Sequence, residues 1–143
     1  MQISDCEKLP ATEKLFPAEL SAFPEARDFV EEELERAECP MKTGARILIA
    51  LEEMFVNVAS YAYGEERGSV LVRLALFPGG VLITLRDSGM PFNPLEIEDP
   101  DTSLSAGERQ VGGLGVFMTK KLMDEVSYAR EENENVFSML KHF

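Results

Sequence analysis

The sequence predicts an α+β fold, a two-layer α/β sandwich in which about three helices cover one face of a mixed, mostly antiparallel sheet. The hydrophobic periodicity changes along the chain in the order strand, helix, helix, hairpin, loop, helix, hairpin. Two pairs of neighbouring apolar segments are separated only by short polar or glycine-rich turns, which favours antiparallel pairing. A chain of 143 residues fits one domain, so we expect residues 1–143 to form a single domain.

The first half of the chain is predicted to supply one strand and two helices. Residues 13–16 form a short strand candidate. Pro24 suits the first turn of an amphipathic helix that ends before Pro40. Residues 43–63 are apolar nearly all round, which indicates a helix buried on most faces, and Gly64 is a natural stop for it.

The second half is predicted to contain two hairpins, with a loop and a helix between them. The segments are strands 70–77 and 81–86, helix 116–125, and strands 126–130 and 136–140. Pro78, Gly79 and Gly80 form the first turn. Residues 93–111 are polar without a clear period, and loops of this length inside a compact domain are usually functional.

Charge and composition exclude several classes of function. Lys and Arg number 14 and Asp and Glu 26, giving a net charge of -12, which argues against binding to nucleic acid or to an anionic membrane. A local pocket can still bind a nucleotide through backbone N–H groups and a metal. Cys6 and Cys39 have no zinc or disulfide spacing, and His142 is the single histidine. No signal peptide or long apolar run is found, so we expect a cytoplasmic protein.

Two polar residues interrupt the buried helix. Glu53 and Asn57 are four residues apart and therefore share one helix face. A carboxylate and a carboxamide on an apolar helix are costly unless they have partners. Magnesium accounts for the Asn, whose amide oxygen is a hard ligand, and phosphoryl transfer accounts for the Glu, which can orient or deprotonate a hydroxyl group. The alternative is a structural pair that is bonded to neighbouring loops.

A carboxylate ends the second strand of the first hairpin. Asp87 is followed by Ser88 and Gly89. A carboxylate at a strand end can accept a hydrogen bond from an exocyclic amine such as that of adenine, and Gly89 allows the backbone to approach a base closely. The alternative is an ordinary turn, because Asp and Gly are common in turns for conformational reasons.

A glycine-rich segment, Gly112, Gly113, Leu114 and Gly115, precedes the third helix. Glycines permit the positive φ values that point successive N–H groups at an anion, and the start of a helix adds a partial positive charge. The segment is not a Walker loop, because no Gly-Lys-Ser/Thr follows. Arg109 is a candidate phosphate ligand. A flexible hinge and a solvated loop cation are the alternatives.

Together these segments resemble the nucleotide-binding boxes of the GHKL ATPases, the superfamily that includes gyrase and the histidine kinases. Residues 51–57 resemble its N box, residues 87–94 its G1 box and residues 112–117 its G2 box. The Pro-Phe-Asn-Pro ending of the second box and residues 122–126 are most similar to one branch, the bacterial anti-sigma-factor serine/threonine protein kinases. The resemblance covers roughly residues 10–143.

The resemblance implies an ATP-binding α/β sandwich with ATP and Mg²⁺ as ligands. Asn57 would ligate magnesium, Glu53 would be the catalytic base, and Asp87 would bind the adenine amine with Gly89 beside it. Residues 95–111 would form the ATP lid. The remaining implied ATP-binding residues are Arg109, Gly112, Gly113, Leu114 and Gly115, with the glycines at the phosphates.

The resemblance also implies protein partners. In that branch the kinase phosphorylates a serine or threonine of a small anti-anti-sigma partner and sequesters a sigma factor, commonly as a homodimer. The first hypothesis is therefore a protein serine/threonine kinase that uses Mg-ATP and regulates transcription. The second is a nucleotide-gated protein-binding module without kinase activity. The third, an acidic interaction domain that binds no nucleotide, requires three motifs to coincide by chance.

Overall fold

The computed structural model describes residues 2–97 and 114–143. The strands are β1 (Thr12–Pro17), β2 (Ser69–Phe77), β3 (Gly80–Asp87), β4 (Glu125–Glu131) and β5 (Glu134–His142). The α-helices are α1 (Ile3–Cys6), α2 (Phe23–Arg36), α3 (Met41–Asn57) and α4 (Leu114–Leu122). The strands form one sheet in the order β1-β2-β3-β5-β4. The predicted α+β class is confirmed, and every strand pairing in the described part of the chain is antiparallel rather than mixed.

Tight turns set the register of both predicted hairpins. Gly79 has a φ of 87° in the turn between β2 and β3, a conformation that suits glycine. Glu132 and Asn133 have φ values of 50° and 66° between β4 and β5, the positive pair expected of a two-residue hairpin turn. The two hairpins pair with each other through β3 and β5, from Gly80 with His142 to Asp87 with Asn135.

One face of the sheet carries the main core. Alternate residues of β3, among them Val81, Ile83 and Leu85, point to this face and are buried under the helices. Helix α3 contacts both α2 and α4. It is less enclosed than its composition predicts, because Ile49 is 41% exposed and Glu52 is also at the surface. Helix α3 therefore has a solvent side that includes both an apolar and a charged residue.

The last turn of the second predicted helix is wider than an α-helix. After Asn57 the chain continues as a π-helical turn, Val58–Ala62, and Gly64 follows with a φ of 60°. Turns of this kind are frequent at functional sites. The third predicted helix ends earlier than expected, at Leu122, because the Asp124 N–H donates to Leu140 O (2.9 Å) and draws the chain into the sheet.

A short helix that the periodicity did not predict covers part of the opposite face of the sheet. Ile3 and Cys6 of α1 are buried in a second cluster. Their partners in the sheet are Ala75, Phe77, Leu82 and Leu140. A single helical turn is too short to display a 3.6-residue period, so only tertiary packing identifies it. None of the helices in the described ranges is long and apolar enough to cross a membrane.

Candidate functional site

A cleft that is open to solvent lies between the end of α3 and the sheet. Helix α3 and the π-helical turn contribute Met54, Asn57, Val58 and Ala62, and the strands and the loop after β3 contribute Leu85, Asp87, Phe92, Pro94, Tyr128, Asn135 and Phe137. Most of these side chains are apolar, and only a few polar groups converge on the space. This combination is typical of small-molecule sites.

Asn57 lies at the helix side of the cleft. It is the last residue of α3, and its Nδ2 is 3.9 Å from the Met54 sulfur, a weak contact. Its amide oxygen accepts no hydrogen bond from the residues at 2–97 and 114–143. The oxygen is therefore available to a ligand, as a metal-binding role requires.

Asp87 lies across the cleft from the helix, at the end of β3, and is 5% exposed. Its Oδ1 accepts hydrogen bonds from the Gly89 N–H (3.0 Å) and from Asn135 Nδ2 (2.9 Å). Its Oδ2 accepts no hydrogen bond from the described residues. Every fully buried side-chain oxygen among these residues has a hydrogen-bond partner, so Oδ2 is not fully buried. One carboxylate oxygen is thus held by the fold, and the other keeps contact with the open space of the cleft.

Backbone contacts anchor the turn after Asp87 to the end of the helix. A Cβ atom built on Gly89 would lie 2.2 Å from Ala62 O, and the Met90 N–H donates to the same oxygen (2.8 Å). The Tyr63 hydroxyl accepts from the Ser88 N–H (2.9 Å) and donates to Ser69 O. The observed reason for a glycine at 89 is therefore the approach of the helix backbone, and its predicted contact with a base stays a prediction.

Glu53 lies beyond the cleft, toward the start of α4. A Cβ atom on Gly115 would lie 2.3 Å from Glu53 Oε2, so the carboxylate rests against the backbone at this glycine. Leu114, the first residue of α4, is 43% exposed. Glu53 is not one of the residues that line the cleft. Two residues of α3 therefore meet different parts of the fold. Glu53 lies next to Gly115 of α4, and Asn57, one turn later, lines the cleft together with Asp87 of β3.

The other predicted phosphate ligands, Arg109, Gly112 and Gly113, lie outside the described residues, as does most of the predicted lid at 95–111. We expected Asn57, Asp87 and Gly113 to surround one cavity; the first two do. No group of three or more His, Cys, Asp or Glu side chains in the described ranges is arranged to hold a metal ion. Among the described residues, Asn57 therefore has no such cluster beside it.

Comparison with known sequences decides the family. The sequence profile of the histidine kinase-like ATPase domain matches residues 16–141. The chain belongs to the histidine kinase-like ATPase domain family. The resemblance drawn from the three boxes is thus confirmed at the level of the family.

Two curated relatives of this histidine kinase-like ATPase domain share one name. The chain is 30% identical over 93 residues to the serine-protein kinase RsbW of Listeria monocytogenes serovar 1/2a, covering 62% of this chain and 59% of that protein. It is 27% identical over 97 residues to the serine-protein kinase RsbW of Bacillus mycoides, covering 62% and 58%. The chain therefore spans less than two thirds of the length of these relatives.

A solved structure has the same fold as this histidine kinase-like ATPase domain. The chain is similar to the crystal structure of the RsbU and RsbW domains of Rv1364c from Mycobacterium tuberculosis, with a TM-score of 0.66. The match covers 93% of this chain and 32% of that chain at 18% identity. At this identity the likeness supports the fold and says nothing of activity.

Asn135 and Tyr128 are polar residues of the cleft that the sequence analysis missed. Asn135 faces the helix layer from β5 and is 7% exposed, and the Tyr128 hydroxyl donates to its Oδ1. Asn135 directly follows a polar turn, so its sequence position suggested turn chemistry. The available signal was its alternation with Phe137 and Met139, which makes it a polar residue on the apolar side of a strand.

Proposed function

We propose that this chain binds Mg-ATP in the cleft between α3 and the sheet and transfers the γ-phosphoryl group to a serine or threonine of a regulatory protein. The observation that carries the proposal is that Asn57 and Asp87, distant in sequence, line one largely apolar cleft. Membership of the histidine kinase-like ATPase domain family supports a nucleotide as the ligand.

The Asp87 end of the cleft fits an adenine base. Leu85, Phe92 and Phe137 supply apolar walls, and Asp87 Oδ2 is the acceptor that an exocyclic amine needs. A carboxylate that is buried to this extent favours a ligand that can donate to it, because a ligand without a donor leaves the charge unpaired. Asp87 is accordingly assigned to the base, and Gly89 is proposed to lie beside it.

Asn57 is the proposed magnesium ligand. Mg²⁺ commonly takes one or two protein ligands and completes its shell with phosphate oxygens and waters, which fits the lack of a carboxylate cluster among residues 2–97 and 114–143. When bound, the ion neutralises phosphate charge. This neutralisation matters here because a protein with a net charge of -12 otherwise repels a polyphosphate.

Glu53 is the proposed catalytic base. Glu53 precedes Asn57 by four residues, which corresponds to about 6 Å along a helix axis. It therefore lies one turn of α3 before the proposed magnesium ligand. There it would accept the proton of the attacking hydroxyl group. Leu114 and Gly115 at the start of α4, together with Arg109, Gly112 and Gly113, are the proposed phosphate contacts.

The protein partners are proposed from the relatives' names and from the resemblance. Two relatives are named serine-protein kinase RsbW, which supports a protein hydroxyl group as the acceptor. The proposed substrate is a small anti-anti-sigma-like protein, and a sigma factor is the proposed sequestered partner. The proposed setting is cytoplasmic transcription regulation, with a homodimer as the proposed assembly.

Calorimetric titration with Mg-ATP tests the binding part of this proposal. The parent should bind, and Asp87→Asn should weaken binding about 10- to 100-fold, because an amide replaces one acceptor of a buried carboxylate. Asp28→Asn on the exposed side of α2 is the matched control and should bind like the parent. Absence of binding by the parent would reject nucleotide binding altogether.

Phosphoryl transfer to an anti-anti-sigma-like protein tests the catalytic part. Glu53→Ala should bind Mg-ATP about as tightly as the parent but lose about 100- to 10,000-fold in transfer rate, the usual contribution of a general base. Glu52→Ala, the exposed neighbour on the same helix, is the control and should retain the rate. Equal rates in the parent and in Glu53→Ala would contradict the role assigned to Glu53.

One observation favours the nucleotide-gated binding module as a second candidate. Glu53 rests against the backbone at Gly115 and is absent from the lining of the cleft. In this alternative the carboxylate links α3 to the start of α4, and bound nucleotide changes the affinity for a protein partner. A parent protein that binds ATP, changes its partner affinity and transfers no phosphate would support this candidate over the kinase.

A further inference from the structure

The solvent side of α3 carries an apolar stripe that leads to the proposed catalytic base. Ala45, Ile49 and Glu53 follow one another at every fourth position and therefore share one side of the helix. Ala45 is exposed, and Ile49 is 41% exposed. Ile49 precedes Glu53 by about one helical turn, or about 6 Å along the axis. A molecule that contacts Ile49 therefore also comes close to Glu53.

Helix α4 adds a second apolar stripe beside the first. Leu114, Met118 and Leu122 also recur at every fourth position, and each keeps part of its surface exposed. The two helices contact each other, and the backbone at Gly115 lies against the Glu53 carboxylate. The two stripes thus meet beside Glu53. Together they form what we call the α3–α4 surface, which consists of Ala45, Ile49, Leu114, Met118 and Leu122.

The charge around the α3–α4 surface is opposite to that of the molecule. The two helices carry four cations and two carboxylates, namely Lys42, Arg46, Lys120, Lys121, Glu52 and Glu53, whereas the whole chain has a net charge of -12. Lys42 and Arg46 are exposed, and neither makes an ion pair with residues 2–97 or 114–143. Their charges can therefore attract the carboxylates of a partner.

An acidic protein fits this surface better than an anionic membrane does. Helix α2 contacts α3 and carries six carboxylates and two arginines. A flat lipid surface that approached α3 would also meet this acidic helix, which would repel it. A protein can confine its acidic groups to the area around Lys42 and Arg46, and repulsion by α2 would then help to orient it.

We infer that the α3–α4 surface is the docking site of the protein that accepts the phosphoryl group, and that this protein meets it with an apolar patch bordered by Asp and Glu side chains. The inference rests on the proposed kinase function and goes beyond it by naming the surface and the chemistry of the partner. Apolar contact with Ile49 contributes affinity, and the charges of Lys42 and Arg46 orient the acceptor. The accepted hydroxyl group is thereby brought to Glu53.

Steady-state phosphoryl transfer to an anti-anti-sigma-like protein tests the apolar part of the surface. Ile49→Ser should raise KM for the acceptor protein about 10-fold, the usual cost of removing a central apolar contact. It should affect kcat much less, because the lost contact is the same in the ground state and in the transition state. The affinity for Mg-ATP, measured by calorimetry, should stay at the parent value. Leu15→Ser is the matched control, since Leu15 is 61% exposed on β1, and it should keep the KM of the parent.

Arg46→Glu tests the charge of the surface. It should raise KM for the acceptor protein about 10-fold or more, because it places a carboxylate against the acidic border of the partner. Added salt should raise the KM of the parent more than that of the variant, because salt screens the attraction that the variant has lost. Lys8→Glu, which reverses an exposed charge next to α1 on the other side of the sheet, is the control and should behave like the parent.

The outcomes separate this inference from the proposed function. If the parent does not phosphorylate the acceptor protein, the proposed function is wrong and the inference fails with it. If the parent does so while folded Ile49→Ser and Arg46→Glu keep its KM, the inference alone is overturned. Binding to vesicles of phosphatidylglycerol that is lost in Arg46→Glu would also overturn it, because the surface would then serve a membrane. A KM that rises in both variants and in neither control supports the inference.

Discussion

Gly89 determines how closely the turn after β3 approaches the π-helical turn after α3. The space for its Cβ atom is taken by the carbonyl oxygen and carbon of Ala62, at 2.2 and 2.6 Å. Backbone atoms cannot rotate away as the end of a flexible side chain can. A side chain at this position therefore requires the strand end and the helix end to separate, and Asp87 lies in that strand end.

We expect Gly89→Ala to destabilise the fold by about 1–3 kcal/mol, the usual cost of forcing added atoms into a packed site. The midpoint of urea unfolding should fall while the m-value stays constant. Gly44→Ala is the control: Gly44 lies within α3 and its Cβ would meet only the Cys39 sulfur, at 3.9 Å. Alanine there should stabilise by about 0.5–1 kcal/mol. Equal midpoints for Gly89→Ala and the parent would contradict the close approach.

Asp87 and Asn135 show at the same scale how a buried polar pair is tolerated. Each makes hydrogen bonds that use the other, and the pair leaves one carboxylate oxygen for a ligand. An apolar pair would cost less to bury but would offer no acceptor to a base. The polar pair is therefore better explained by binding than by stability.

At the scale of elements, α1 is held to the sheet by a small apolar cluster. Cys6 is fully buried between α1 and residues of β2, β3 and β5. Burial, with a further contribution from the charge of Asp5, raises the pKa of the Cys6 thiol. Burial also raises the pKa of Cys39, which remains partly exposed between α2 and α3. The two thiols therefore differ mainly in how accessible each is to solvent and to a reagent.

We expect Cys39 to react with a thiol reagent in the native protein well before Cys6, because the buried thiol reacts only when α1 leaves the sheet. Labelling at pH 8 followed by peptide mass spectrometry should give a rate ratio of about 10 or more. Unfolding in urea should remove the difference. Cys6→Ser and Cys39→Ser identify each thiol in turn, and equal native rates would show that α1 is not docked.

At the scale of the whole molecule, Asp124 joins the start of the edge strand β4 to the end of the neighbouring strand β5. Its carboxylate accepts from the His142 N–H (2.6 Å) and from Lys141 Nζ (3.2 Å). Burial by itself would raise the pKa of Asp124, but these hydrogen bonds, a further one with the His142 ring and the charge of Lys141 together lower it. Folding therefore favours the ionised form.

The direction of this pKa shift predicts how stability depends on pH. Because the pKa of Asp124 is lower in the folded than in the unfolded chain, its contribution is fully present above its ordinary value and is lost as the pH falls through the folded pKa. Asp124→Asn should be less stable than the parent at neutral pH, by less than about 1 kcal/mol because the group is partly exposed. The difference in the free energy of unfolding between Asp124→Asn and the parent should become smaller as the pH falls.

Unfolding by urea between pH 7 and pH 2.5 measures this difference. Asp28→Asn serves as the control, since Asp28 is exposed on α2, and its difference from the parent should stay near zero at all pH values. Salt should reduce the Asp124 difference, because part of it is an ion pair. A difference that grows on acidification would contradict a lowered pKa of Asp124 in the folded protein.

The sequence by itself determined the types and order of the main elements and the chemistry of the candidate residues. The apolar run of β3, which is buried on both faces, and the helical spacing of α2 reflect a pattern of burial that the local sequence carries. Glycine and asparagine at the turns likewise indicate the hairpins from the local sequence. The local sequence did not indicate the single turn of α1 or the exposed side of α3.

Tertiary structure alone decided which residues meet. Asn57 and Asp87 share a cleft because the π-helical turn after α3 is bonded to the turn after β3, and Asn135 reaches Asp87 because the register of β5 with β3 pairs them. The motif resemblance led us to expect the first meeting, and nothing in the sequence pattern indicated the second. Periodicity reports that a side chain points inward, but its partner depends on contacts between segments far apart in the chain.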